Sequence, residues 1–91
     1  MIDVQRVQTA EEQAEIARLD VTLERFTAAL RSKLVEKVLE GQRGWDDPTN
    51  FERMEQEMIV RAMNPYEGHQ IDVAAFAMFT WHLDEQRKET A

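Results

Sequence analysis

The chain has 91 residues, 43% hydrophobic and 32% charged, with 18 acidic against 11 basic side chains and a formal net charge of −7. That length supports one domain around one small core, and the acidic balance excludes a general basic face for a nucleic-acid polymer. With no cysteine, neither a disulfide nor a thiolate zinc site is available to the fold. No apolar run approaches ~20 residues and the N-terminus has no secretory core, so the expectation is a cytoplasmic protein without a membrane partner.

Residues 1–8 read as a short lead-in, with weak alternation through Ile2, Val4 and Val7. Thr9 then opens a helix, because Glu12 three residues later completes a capping box and Glu11, Glu12 and Glu15 suit the positive end of the dipole. Ile16, Leu19, Leu23, Phe26, Leu30, Leu34 and Val38 follow at spacings of three and four. They predict one long amphipathic helix over 9–40, stopped by Gly41. A break near Thr22 or Ser32 is compatible with the same periodicity.

Residues 41–50 form the clear loop, holding two of the three glycines, one of the two prolines and the isolated Trp45. Either Asp47 before Pro48, or Thr49 with Glu52, can start the second helix over 51–63. That helix carries Phe51, Met54, Met58 and Ala62 on one face. A linker over 64–69 leads to a third helix over 70–85, whose apolar residues cover nearly the whole circumference and predict burial on most sides. Asp72 stands in its first turn, where a buried carboxylate needs a partner, a metal or a cap. Residues 86–91 read as a polar, fraying tail, and Met54, Met58, Met63 and Met78 as core or interface filler. The sum is a single all-α domain of three main helices. A chain this short buries only about 60–65% of its unfolded surface, so a homo-oligomer is expected to complete the core.

Three groups of residues could carry chemistry. Glu52, Glu55 and Glu57 on the second helix, with Asp72 on the third, offer the oxygen ligands that Mg²⁺ takes from facing helices; the plainer reading is a solvated acidic surface. Glu57 is turned from Glu52 by about 140°. Asp72 could equally cap its helix or pair with Arg61 or Lys33. The second group is basic: five of the eleven basic residues lie between Arg25 and Arg43. Lys33, Lys37 and Arg43 beside Trp45 could hold phosphates while the indole stacks on a base, against the alternative that the lysines complement the helix dipole and Trp45 fills the core. Third, His69 and Asp72 are three residues apart and could form a couple on one face. His82 lies elsewhere on the wheel, and capping or interface roles suit both histidines.

The run FTAALRSKLVEKVLEGQRGWDD, followed after about 25 residues by DVAAFAMF, resembles small phage and prophage proteins related to the MazG-like all-α nucleotide pyrophosphohydrolases. Lys33–Leu34, Gly44–Trp45 and the segment from Asp72 to Met78 stand where those proteins have a K-L pair, a G-W end to a basic stretch and D-V-A-N-F-A-M. The resemblance covers residues 26–83. It implies a Mg²⁺ site built from E-x-x-E on one helix and E-x-x-D on the next. Asp72 matches the final aspartate, but His69 stands at the glutamate before it. Glu57 aligns on the preceding helix with Val60 in its partner's place, and Glu52 with Glu55 restores the spacing only in a shifted register. A site short of carboxylates would neutralise a Mg²⁺–triphosphate poorly.

The expectation is therefore a small oligomeric protein that binds a phosphorylated nucleotide, of a cyclic signalling kind in a phage setting, without hydrolysing it. Lys33, Lys37 and Arg43 would hold phosphates, Trp45 the base, and His69 or Asp72 a hydrogen bond to the ligand. No cofactor is expected in that reading. The alternatives are a Mg²⁺-dependent nucleoside triphosphate pyrophosphohydrolase using Glu52, Glu55, Glu57 and Asp72, and a structural or protein-binding helical module.

Overall fold

A computed structural model describes residues 7–90 of the chain. It has three α-helices, α1 (Ala10–Leu39), α2 (Phe51–Met63) and α3 (His69–Thr90), with a 3₁₀ turn over Pro48–Asn50, and no strand among the described residues. The all-α expectation agrees with this arrangement. The predicted lead-in lies mostly outside the described residues.

The start of α1 follows from Thr9. Its hydroxyl accepts from the Glu12 amide at 3.1 Å, and the Glu12 carboxylate accepts from the Thr9 amide at 2.9 Å. Two of the helix's orphan donors are thus satisfied reciprocally. The helix runs unbroken past Thr22, whose hydroxyl donates to the Arg18 carbonyl, and past Ser32. It stops at a Schellman motif: Gly41 takes φ +91°, its amide donates to Val38 O, and the Gln42 amide donates to Lys37 O. Glycine adopts this left-handed conformation without a Cβ penalty.

Asp47, the first of the two candidate starts, caps the 3₁₀ turn Pro48–Asn50 that leads into α2, and α2 itself begins at Phe51. The Asp47 carboxylate accepts from the Thr49 amide at 3.0 Å and the Thr49 hydroxyl at 2.8 Å. These two bonds, the backbone one first, hold the Asp47 carboxyl below its ordinary 3.8. Pro48 sits at the first position of the turn, where its missing N–H costs nothing.

The core lies between α2 and α3, where Met54, Ala75, Thr80 and Leu83 are buried. Thr80 is accommodated because its hydroxyl donates to the Ala77 carbonyl at 3.0 Å. The two helices run antiparallel: the Arg61 guanidinium lies 4.8 Å from the Phe76 ring centre near one end, and Arg87 lies 4.2 Å from that of Phe51 near the other. Among the described residues of α1, none is buried; its C-terminal part meets the pair through the half-buried Leu30, Lys33, Leu34 and Lys37.

The bounds expected for the third helix are corrected here. The third helix starts at His69, one residue earlier than expected, and continues through residues 86–90. Asp84–Arg87 and Glu85–Lys88 pairs hold its last turns together with the Arg87–Phe51 contact. Within one chain it is covered only in part, as expected of a chain with so few other helices: Trp81 is exposed and most of its other residues are half-buried. Met63, expected as core or interface filler, lies on the solvent side of α2 within one chain. His69, assigned to the linker, belongs to α3.

A candidate anion-binding cleft

The C-terminal third of α1, the 41–50 loop, α2 and the first half of α3 enclose a cleft of about 620 Å³. That volume lies in the ordinary range for small-molecule sites, about 300–1,000 Å³. Each wall contributes according to its helical period. From α1 come Lys33 and Lys37, one turn apart on the face that meets α3. The next turn of that face ends in the Schellman glycine, which releases the chain into the loop.

The loop then places Arg43 and Trp45. The Arg43 guanidinium donates to Val38 O at 3.0 Å and to Gln42 O at 2.8 Å, which ties its head to the carbonyl end of α1. Gly44 takes φ +95°, and its carbonyl accepts from the Asn50 side-chain amide at 2.8 Å. A Cβ at Gly44 would stand 3.0 Å from that same amide, so glycine is needed both for the conformation and for the approach. This bend turns Trp45 inward onto α3, where the indole lies 5.5 Å from Phe79 and 5.2 Å from His82 between ring centres.

From α2 come Arg53, Glu57 and Arg61, spaced at four residues and so stacked along one face. Arg61 is ion-paired with Glu57 and lies over Phe76. From α3 come Asp72, Phe76 and Phe79. The Asp72 carboxylate accepts from the Tyr66 hydroxyl at 2.5 Å, so its partner is Tyr66 rather than Arg61 or Lys33. That hydrogen bond, assisted by partial desolvation and by the Asp72 charge and opposed by Arg61, raises the Tyr66 phenol above its ordinary 10.0.

Five cations, Lys33, Lys37, Arg43, Arg53 and Arg61, thus line one cleft against two carboxylates, Glu57 and Asp72, in a chain whose net charge is −7. Their commitments differ. Lys37 pairs with Glu40 at 3.3 Å, Arg43 is held by carbonyls, and Arg61 is held by Glu57. Lys33 from α1 and Arg53 from α2 both line the cleft, and among the described residues neither makes an ion pair. An arrangement of this kind can neutralise phosphate oxygens with charge-assisted hydrogen bonds and offer an aromatic wall to a flat ring.

Of the residues singled out in the sequence, Lys33, Lys37, Arg43, Trp45 and Asp72 come together in this cleft. His69 does not line it; its Nδ1 lies 3.0 Å from the Tyr66 carbonyl, where it secures the turn into α3. The four carboxylates of the metal reading are divided. Glu57 and Asp72 line the cleft, while Glu52 and Glu55 are exposed and outside it. Among the described residues no three His, Cys, Asp or Glu side chains converge as a metal-binding group. Sequence reasoning missed Arg53 as a cleft residue, and treated Arg61 only as a partner for Asp72. Their signal was the four-residue spacing of Arg53, Glu57 and Arg61, which puts all three on the stripe beside Met54.

No helix among the described residues is long and apolar enough to cross a membrane. Compared with protein-family models, with curated proteins and with solved structures, the chain matches none.

Proposed function

We propose that this protein binds a phosphorylated nucleotide, of the cyclic signalling kind, and holds it without hydrolysis. The observation that carries the reading is the convergence of five cations and the Trp45–Phe79 aromatic wall in one cleft of an acidic chain. A cationic site in an otherwise negative field selects a compact anion over a long polyanion, because the rest of the surface repels the remainder of a polymer. Lys33 and Arg53 take the phosphates, Lys37 and Arg43 extend the positive rim, and Trp45 stacks on the base. Asp72, with Tyr66 donating to it, accepts from the ligand's base or sugar. In this reading the chain works as a homo-oligomer, sequestering a signalling nucleotide in the host cytoplasm, as its resemblance to phage proteins implies.

The experiment is a native mass spectrum of protein purified without added nucleotide, followed by release and identification of any bound molecule. Nucleotide-sized extra mass, recovered intact, supports the reading. A spectrum that stays at the protein's own mass after incubation with cyclic and linear nucleotides contradicts it.

One observation favours Mg²⁺-dependent hydrolysis as a second reading: Glu57 and Asp72 both line the cleft. Against it, Glu57 is engaged by Arg61 and Asp72 by Tyr66, and Glu52 and Glu55 lie outside. Pyrophosphate release that disappears in Asp72→Asn would favour it.

A further inference from the structure

The N-terminal two-thirds of α1 makes no core. Ile16, Leu19, Leu23 and Phe26 remain 40%, 63%, 62% and 38% exposed. With Leu30 they recur at alternating steps of three and four, the a/d seam of a coiled coil over two heptads. The whole molecule shows the consequence. Its radius of gyration is 16.7 Å, where a compact chain of this length has about 12 Å. Its accessible surface is 7605 Å², where a compact monomer of this mass exposes about 5,500 Å². The excess, about 2,000 Å², is spread over the whole chain, cleft included, and leaves room on α1 for the ~800 Å² per partner of a standard stable interface.

The charges of α1 say what fits that seam. Its first half, from Ala10 to Glu24, carries five carboxylates (Glu11, Glu12, Glu15, Asp20 and Glu24) and one arginine, Arg18. The second half, from Arg25 to Leu39, carries four cations (Arg25, Arg31, Lys33 and Lys37) and one carboxylate, Glu36. A second α1 laid parallel would set like charge on like. Laid antiparallel about Leu23, it sets Glu15 and Asp20 of each helix toward Arg31 and Arg25 of the other, while Lys33 and Lys37 stay in their own cleft, and it opposes the two helix dipoles. The helix is thus complementary to its own reverse.

We infer that a second copy of this chain covers the stripe, α1 against α1 and antiparallel, with Leu23 at the two-fold axis. Ile16 then packs near the partner's Leu30, Leu19 near the partner's Phe26, and Glu15 lies beside the partner's Arg31. The same symmetry operation generates both halves, as an isologous interface requires. This rests on the self-association in the functional reading above and names its surface and direction.

The test uses the full chain, which has no native cysteine. Light-scattering mass is measured for the wild type and for Leu23→Glu, with circular dichroism reporting whether the variant stays helical. The expected result is a wild-type mass of two chains or a multiple of two, halved or lower in Leu23→Glu. Should Leu23→Glu unfold, cysteine cross-linking decides: oxidised mixtures of Ile16→Cys and Leu30→Cys give the mixed disulfide, and neither gives its own homodimer. A wild-type oligomer that keeps its mass in a folded Leu23→Glu overturns the α1 interface and leaves self-association standing. A wild-type monomer at tens of micromolar overturns both. Homodimer disulfides of Ile16→Cys without the mixed product overturn the antiparallel direction.

Discussion

The Trp45 indole stands 5.5 Å from the Phe79 ring at an interplanar angle of 33°, which joins the loop after α1 to the middle of α3. His82 flanks the same indole at 5.2 Å. Part of the ring is therefore engaged by the protein, and the part turned to the cleft remains for a ligand. Trp45→Ala is expected to lower nucleotide affinity by about 1–3 kcal/mol, the worth of one base–aromatic stack, and to loosen the 41–50 loop. Calorimetric titration of Trp45→Ala beside the wild type would check it, with Trp81, the second of two tryptophans, left in place in both.

The two cleft cations without an ion pair should matter most. Lys33→Glu and Arg53→Glu each place a negative charge where phosphate would sit, and each is expected to reduce affinity at least tenfold, about 1.4 kcal/mol or more. Lys37→Glu, already facing Glu40, is expected to cost less. Equal affinities for all three variants would contradict this ranking. Binding is expected to weaken as salt rises, since the proposed contacts are between charges.

Tyr66 offers a pH measurement with little ambiguity, since it is the single tyrosine. The hydrogen bond to Asp72 favours the protonated phenol and raises its folded-state value above 10.0. Its contribution to stability is present below 10 and is lost as the pH rises through the raised value. A tyrosinate absorbance titration of the folded protein is expected to show a midpoint above the ordinary one, moving down in Asp72→Ala. A wild-type midpoint at or below 10 would remove the bond from the account.

Leu83 is 1% exposed and closes the small core between α2 and α3. Leu83→Ala is expected to cost about 2–5 kcal/mol, a large share of the stability of so small a domain. Met63→Ala, on the solvent side, is expected to change stability by less than about 0.5 kcal/mol in the isolated chain. Urea denaturation of both variants would check the contrast.

Local signals in the sequence were legible where the chemistry is local. Thr9 with Glu12, Gly41 after Val38, and Asp47 before Pro48 each satisfy nearby backbone groups, so their roles follow from spacing alone. The cluster of Lys33, Lys37, Arg43 and Trp45 was legible for a related reason: one helix end and one loop bring those residues to a common edge. Arg53 was not, because its place in the cleft depends on how α2 is turned against α1 and α3. The burial of α3 is only partly legible within one chain. A helix that is apolar on every side shows only what could be covered, and this chain supplies one close neighbour, α2, and part of another. On α1 the seven-position stripe was legible as one continuous surface, yet only its C-terminal part is met within the chain. His69 was misplaced because its spacing to Asp72 fits a couple, whereas its ring nitrogen is taken by the carbonyl of Tyr66.

Binding of a phosphorylated nucleotide in the cleft between α1, α2 and α3 is open to one decisive measurement. Calorimetric titration of the full chain with a panel of cyclic and linear nucleotides, each paired with its unphosphorylated nucleoside, tests it most directly. Saturable heat from at least one nucleotide, absent with its nucleoside and greatly reduced in Lys33→Glu and Arg53→Glu, is the expected result. No heat from any nucleotide in the panel, or binding untouched by both substitutions, would contradict it.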